Sequence, residues 1–142
     1  MMQPKRTKYR KPHRTRYDGK AKGNKYVAFG EMGLMATTGN WVNANQIEAA
    51  RVVLSKFKDK YKTGKMWIRI FPHLSRTKKP LEVRMGSGKG SPEVWSAVVK
   101  QGTIMFEMAG IPHDEMKKAL KQAGDKINVL TKIVMKGEIA HE

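Results

Sequence analysis

Cysteine is absent from the 142 residues. That excludes disulfides and thiolate zinc sites, and it suits a reducing compartment. Long apolar runs are absent too, and none approaches the ~18 residues of a transmembrane helix. The N-terminal MMQPKRTKYR has no apolar h-region and is not read as a secretory signal. It is Arg-rich and acid-poor, as transit peptides are, yet residues 1–25 contain no Leu, Ile, Val or Phe and so offer no amphipathic face. Acidic residues are scarce: 12 Asp and Glu stand against 29 Lys and Arg, a formal net charge of +17. Self-repulsion at that charge opposes compaction, and a polyanionic partner relieves it. Nucleic acid is the leading partner class and an acidic membrane surface the second.

What is present divides by texture. Residues 1–25 carry ten Lys/Arg and one acid, Asp18, with five cations in KRTKYRK alone. This segment lacks the apolar surface to fold alone and reads as an extended RNA-binding arm. Its expected contacts are Lys5, Arg6, Lys8, Arg10, Lys11, Arg14 and Arg16, with Tyr9 and His13 interleaved as rings for stacking on unpaired bases. Residues 26–136 read as one core domain and 137–142 as a loose tail.

Within the core, YVAFG and GLMATT read as two strands joined by a turn. Asn43 followed three residues later by Gln46 is a capping-box signature. Ile47, Ala50, Leu54, Phe57 and Tyr61 then recur on one helical face, with Arg51, Lys56, Lys58 and Lys60 opposite. KMWIRIF alternates as a strand that sends Arg69 toward solvent or RNA. SPEVWSAVV and TIMFEMA, with Gln101-Gly102 between them, read as a hairpin. Pro112 opens a second helix whose first turn carries Asp114 and Glu115, where the helix dipole favours acids. Its buried face is Met116, Ala119, Leu120, Ala123 and Ile127. VLTKIVM closes the domain as a strand.

Residues 73–92 read as a projecting basic loop, with a brief strand at 81–84. A loop of this length inside a compact domain is uncommon unless it is functional. Its KPLEVRMGSGKG suits close approach to phosphate, because glycine removes the Cβ and exposes backbone N–H groups beside cations. A nucleotide P-loop fails at both ends: Val83 stands where the first glycine belongs, and Gly90 follows Lys89 where Ser or Thr is required. A dinucleotide fingerprint fails on the spacing of Gly86, Gly88 and Gly90. No G-x-S-x-G surrounds Ser87. The four histidines, His13, His73, His113 and His141, lack paired metal-ligand spacing. No metal, cofactor or catalytic residue is expected. Two readings remain: a plain flexible surface hairpin, or, favoured here, a loop that cradles a nucleic-acid backbone through Arg76, Lys78, Lys79, Arg84, Met85, Gly86, Ser87, Gly88, Lys89 and Gly90.

MMQPKRTKYRKPH, NQIEAAR, KMWIRIFP and KPLEVRMGSGKG, in that order and spacing, resemble bacterial large-subunit ribosomal protein sixteen from residue 2 to about 135. The resemblance implies a single α+β domain, with a mixed, hammerhead-like β-structure packed by two helices and an extended basic N-terminal arm. It implies a cytoplasmic protein that binds large-subunit ribosomal RNA in the ribosome. Such a protein lies near the base of the central protuberance, close to where aminoacyl-tRNA approaches the peptidyl-transferase region, and joins late in subunit assembly. The implied partners are ribosomal RNA, tRNA and other large-subunit proteins, with no membrane and no second copy of the chain. Catalysis of peptide transfer would belong to RNA. The family's basic stretch falls on Gln3 to Lys11 and its glycine-rich loop on Pro80 to Gly90. Its loop arginine, hydroxylated in some bacteria, falls on Arg84. Three stretches depart from the familiar pattern: residues 17–25 look longer, NWVNAN replaces a Thr-containing helix start, and KGEIAHE looks like an added tail.

Two rivals come from other classes. An RNA-processing nuclease needs convergent carboxylates or a histidine pair by the basic loop. A free-standing, sequence-tolerant binder would take DNA as well as RNA and would not co-sediment with large subunits in high salt.

Overall fold

A computed structural model describes residue 5 and residues 19–23, 25–77 and 92–137. Among the described residues, seven strands and two helices follow in the order β1 (Met32–Ala36), β2 (Asn40–Asn43), α1 (Ala44–Lys58), β3 (Lys65–Ile68), β4 (Leu74–Thr77), β5 (Pro92–Val99), β6 (Ile104–Ala109), α2 (His113–Gly124) and β7 (Thr131–Met135). They form a four-stranded sheet, β3-β6-β1-β7, and a three-stranded sheet, β2-β5-β4. The strand pairings in both are antiparallel. The chain is α+β, as the sequence reading expects.

Both helices form where local sequence says they should. Asn43 and Gln46 close the capping box at the start of α1, with the Asn43 N–H donating to Gln46 Oε1 at 3.0 Å. The Ser96 hydroxyl donates to Asn43 Oδ1 at 2.9 Å, tying the helix start to the partner strand of β2. Ile47, Ala50 and Leu54 are fully buried, and Phe57 and Tyr61 pack against the same core. In α2, Asp114 and Glu115 occupy the first turn, while Met116, Ala119, Leu120 and Ala123 are buried. The two helices lie on one face of the larger sheet and share its core with Met32, Leu34, Phe106 and Met108. Met35, Val27, Ile104 and Val134 fill a second cluster. The central β1, MGLMA, is buried throughout, which explains a short unbroken apolar run.

Leu54→Ala removes a side chain with no exposure from the middle of this core. A loss of about 2–5 kcal/mol in urea unfolding is expected. A change below 1 kcal/mol would mean that the face packs loosely.

Four strand assignments are corrected. SPEVWSAVV and TIMFEMA are strands, but not a hairpin. Gly102, with φ 93°, makes the tight turn, with the Thr103 N–H donating to the Lys100 carbonyl. The chain then passes from one sheet to the other, since β5 pairs with β2 and β4, and β6 with β1 and β3. YVAFG is not a strand, for a reason given below. NWVN contributes β2, which the sequence reading missed. LSRT contributes β4, so the ladder to β5 leaves residues 78–91 as the connection rather than 73–92. The brief strand expected at 81–84 lies outside the described residues.

Candidate nucleic-acid interface

The β4–β5 ladder pairs Leu74 with Ser96, Ser75 with Trp95, Arg76 with Val94 and Thr77 with Pro92. It is the stem of the glycine-rich segment, whose two ends leave the fold side by side. β5 is the middle strand of its sheet, paired with β2 on its other edge, so the stem is anchored rather than free-standing. Trp95, Ala97 and Val99 are buried beneath it. Of the loop residues singled out by sequence, Arg76 has its backbone in this stem. Lys78, Lys79, Arg84, Met85, Gly86, Ser87, Gly88, Lys89 and Gly90 lie outside the described residues.

In the arm, Lys5 is exposed. Arg6, Lys8, Tyr9, Arg10, Lys11, His13, Arg14 and Arg16 lie outside the described residues. The base of the arm is attached to the core. Lys20 forms a parallel bridge with Gln101, the Ala21 N–H donates to the Gln101 carbonyl at 2.8 Å, and the Ala21 side chain is buried. Gln101 belongs to the turn that follows β5. The root of the arm and the root of the stem are therefore held by the same stretch of chain. Between them opens a cleft of about 440 Å³, whose walls include Lys22, Phe71, His73 and Lys100.

Arg69 does not face outward as expected. Its Nη1 donates to Glu107 Oε2 at 2.8 Å and to the Tyr26 carbonyl at 2.6 Å, and only 14% of its side chain is exposed. Glu107, with no exposure, is the reason YVAFG is not a strand. Its Oε1 accepts the N–H groups of Ala28, Phe29 and Gly30 at 3.0, 2.8 and 2.8 Å. Three backbone donors that would otherwise need a ladder are satisfied by one carboxylate oxygen. Gly30 is required here, since a Cβ would stand 2.6 Å from the Met108 carbonyl oxygen. The strap so formed lays Phe29 beside Trp67, with centroids 6.1 Å apart, and under the Arg69 guanidinium at 5.4 Å. Sequence reasoning passed over Glu107; its only signal is a lone acid inside an apolar strand.

The cations on the two helices differ in availability. Arg51 is bound to Glu48, whose carboxyl it holds below the usual carboxylate range mainly through their hydrogen bonds. Lys56 on α1, Lys60 in the turn just after it, and Lys117, Lys118 and Lys121 on α2 are exposed.

An anchored stem at the ends of a Gly- and Lys-rich connection, beside the root of a cationic arm, defines a basic α+β scaffold protein. The family model for ribosomal protein L16p/L10e matches residues 4–134. The chain is 69% identical to the large ribosomal subunit protein uL16 of Malacoplasma penetrans over 142 residues, the whole of both chains. It is 66% identical to that of Mycoplasma pneumoniae over 140 residues, 99% of each, and 59% identical to that of Spiroplasma citri over 138 residues, 97% of this chain and 99% of the relative. The chain belongs to the ribosomal protein L16p/L10e family, and it is a structural constituent of the ribosome rather than an enzyme. The Malacoplasma match runs end to end, so residues 17–25 and 137–142 have counterparts there and are not additions relative to that protein.

Proposed function

We propose that the chain is a cytoplasmic constituent of the large ribosomal subunit that binds its ribosomal RNA through the arm and the glycine-rich loop. It helps to position aminoacyl-tRNA near the peptidyl-transferase centre and joins the subunit late in assembly. The anchored β4–β5 stem carries this reading, because it fixes both ends of a Gly- and Lys-rich segment against a packed sheet. In the loop, Gly86, Gly88 and Gly90 permit close approach to a phosphate backbone. Lys89 acts as a point charge, and Arg84 offers a planar fork that is bidentate to phosphate or stacks on a base. Arg76, Lys78 and Lys79 add charge at the loop's first limb. In the arm, Lys5, Arg6, Lys8, Arg10, Lys11, Arg14 and Arg16 neutralise phosphates while Tyr9 and His13 stack. Other large-subunit proteins are neighbours, and the chain acts as a single copy.

The test compares the melting of isolated variants with translation by subunits that contain them. Arg84→Ala and Lys89→Ala are expected to stay within about 0.5 kcal/mol of the parent in stability. Their cost is expected as weaker tRNA accommodation or slower subunit maturation. Arg84→Lys does not fully rescue, because it loses the fork, whereas Lys89→Arg is largely tolerated. Loop variants that both fold and translate normally would leave the loop a plain surface connection. Failure of the parent to co-sediment with large subunits in high salt would favour a free-standing binder instead.

A further inference from the structure

We propose that the cleft between the arm's root and the stem's root is a pocket for one unpaired RNA nucleotide, with the base on the Phe71 ring and the backbone phosphate between Lys22 and Lys100. The proposal rests on the RNA-binding reading above and adds a third contact, built from described residues alone. Its volume of about 440 Å³ falls in the range of small-ligand sites, large enough for one nucleotide and too small for a helix.

The walls match that occupant. The floor is apolar, from the buried Ile70 and Ala97. Phe71 is 46% exposed, a large ring that the core does not use. The buried Pro72 follows it, and the His73 Nδ1 donates to the Phe71 carbonyl at 3.2 Å, so the ring stands on a braced turn. Lys22 is exposed and Lys100 half-buried, and among the described residues neither has a carboxylate partner. Among the described residues, no acidic side chain lines the cleft. Arg69 reaches its edge, but that charge is already engaged by Glu107. An exposed ring flanked by uncompensated cations over an apolar floor is the arrangement that stacks a splayed base while neutralising its phosphate. Paired strands do not fit, because a base inside a duplex presents no free face to the ring.

The experiment uses the full-length protein and a large-subunit ribosomal RNA transcript containing 4-thiouridine. Affinity is measured from 50 to 200 mM salt, and photo-crosslinked peptides are mapped by mass spectrometry. A crosslink in the peptide spanning Phe71 to His73 is expected. Phe71→Ala is expected to weaken binding roughly 5- to 100-fold at fixed salt, with the salt slope unchanged, while Phe71→Trp retains parental affinity. The double substitution Lys22→Ala, Lys100→Ala is expected to flatten the slope of log affinity against log salt by about 0.7–0.9, the contribution of one phosphate. All of these positions are partly exposed, and unchanged melting temperatures verify that the fold is intact. A parent that binds the transcript tightly while Phe71→Ala binds equally well overturns the pocket and leaves the arm-and-loop reading standing. A slope change without any Phe71 effect also overturns it, because it describes a charged rim with no base site. A parent that does not bind the transcript overturns both.

Discussion

Glu107→Ala is expected to destabilise the isolated protein by about 3–5 kcal/mol, a fall of roughly 10–20 °C in melting temperature for a domain of this size. The side chain is fully buried and satisfies four donors: three backbone N–H groups of Ala28, Phe29 and Gly30, and the Arg69 guanidinium. Alanine leaves the three backbone N–H groups unpaired and takes the carboxylate from the Arg69 guanidinium, which keeps the Tyr26 carbonyl. Glu107→Gln is gentler, about 1–3 kcal/mol, because the amide oxygen still accepts from the strap but no longer carries charge. An ordinary buried ion pair can often be replaced by apolar residues at little cost. This one cannot, since the strap's N–H groups are main chain and survive any substitution. Glu107→Met combined with Arg69→Met is therefore expected to stay well below the parent. A double variant that melts with the parent would show that the strap finds other acceptors.

Affinity for the isolated ribosomal RNA site is expected to fall about 10³- to 10⁵-fold between 50 and 200 mM salt if arm and loop together neutralise about 6–10 phosphates. The rule is calibrated on duplex DNA, and unpaired strands give a shallower slope, about 0.7 rather than 0.9 per phosphate. Not all 29 cations can contribute. Arg51 and Arg69 are committed to Glu48 and Glu107, so Arg51→Ala should leave the slope unaltered. Removal of residues 1–18 should flatten it more than any single loop substitution. Filter binding across a salt series measures both. A nearly flat dependence would mean that the net charge of +17 lies away from the RNA.

The helices were legible because their signals are local. A capping box, a 3.6-residue stripe and acids in a first turn all lie within a few residues of what they determine. The strands were less so, because a strand's partner is chosen by distant chain. The turn at Gly102 was readable, yet nothing local says that β5 belongs to one sheet and β6 to the other. β2 was hidden by its composition, with Asn at both ends of NWVN. The Glu107 contacts bridge 77 to 79 residues, and the polar requirements of YVAFG could not be traced to them from sequence. The charged arm and the glycine-rich loop stood out by composition alone. The cleft did not, since its walls come from three separate segments that only the fold brings together.

Thr77 and Pro92 face each other across the ladder, so the chain between them departs from and returns to one point. Each residue adds no more than about 3.5 Å of contour, and half of the length is spent coming back, so residues 78–91 reach at most about 25 Å from the ladder. The ladder thus works as a tether of set radius. Anything the loop backbone touches must lie inside that sphere, and its side chains reach only their own length beyond it. Inserting two residues would widen the radius by roughly 3.5 Å, and deleting two would shrink it by the same amount. Composition of the loop governs what it grips, and its length governs how far away the grip is made. The two can be varied independently without disturbing the sheet that holds them.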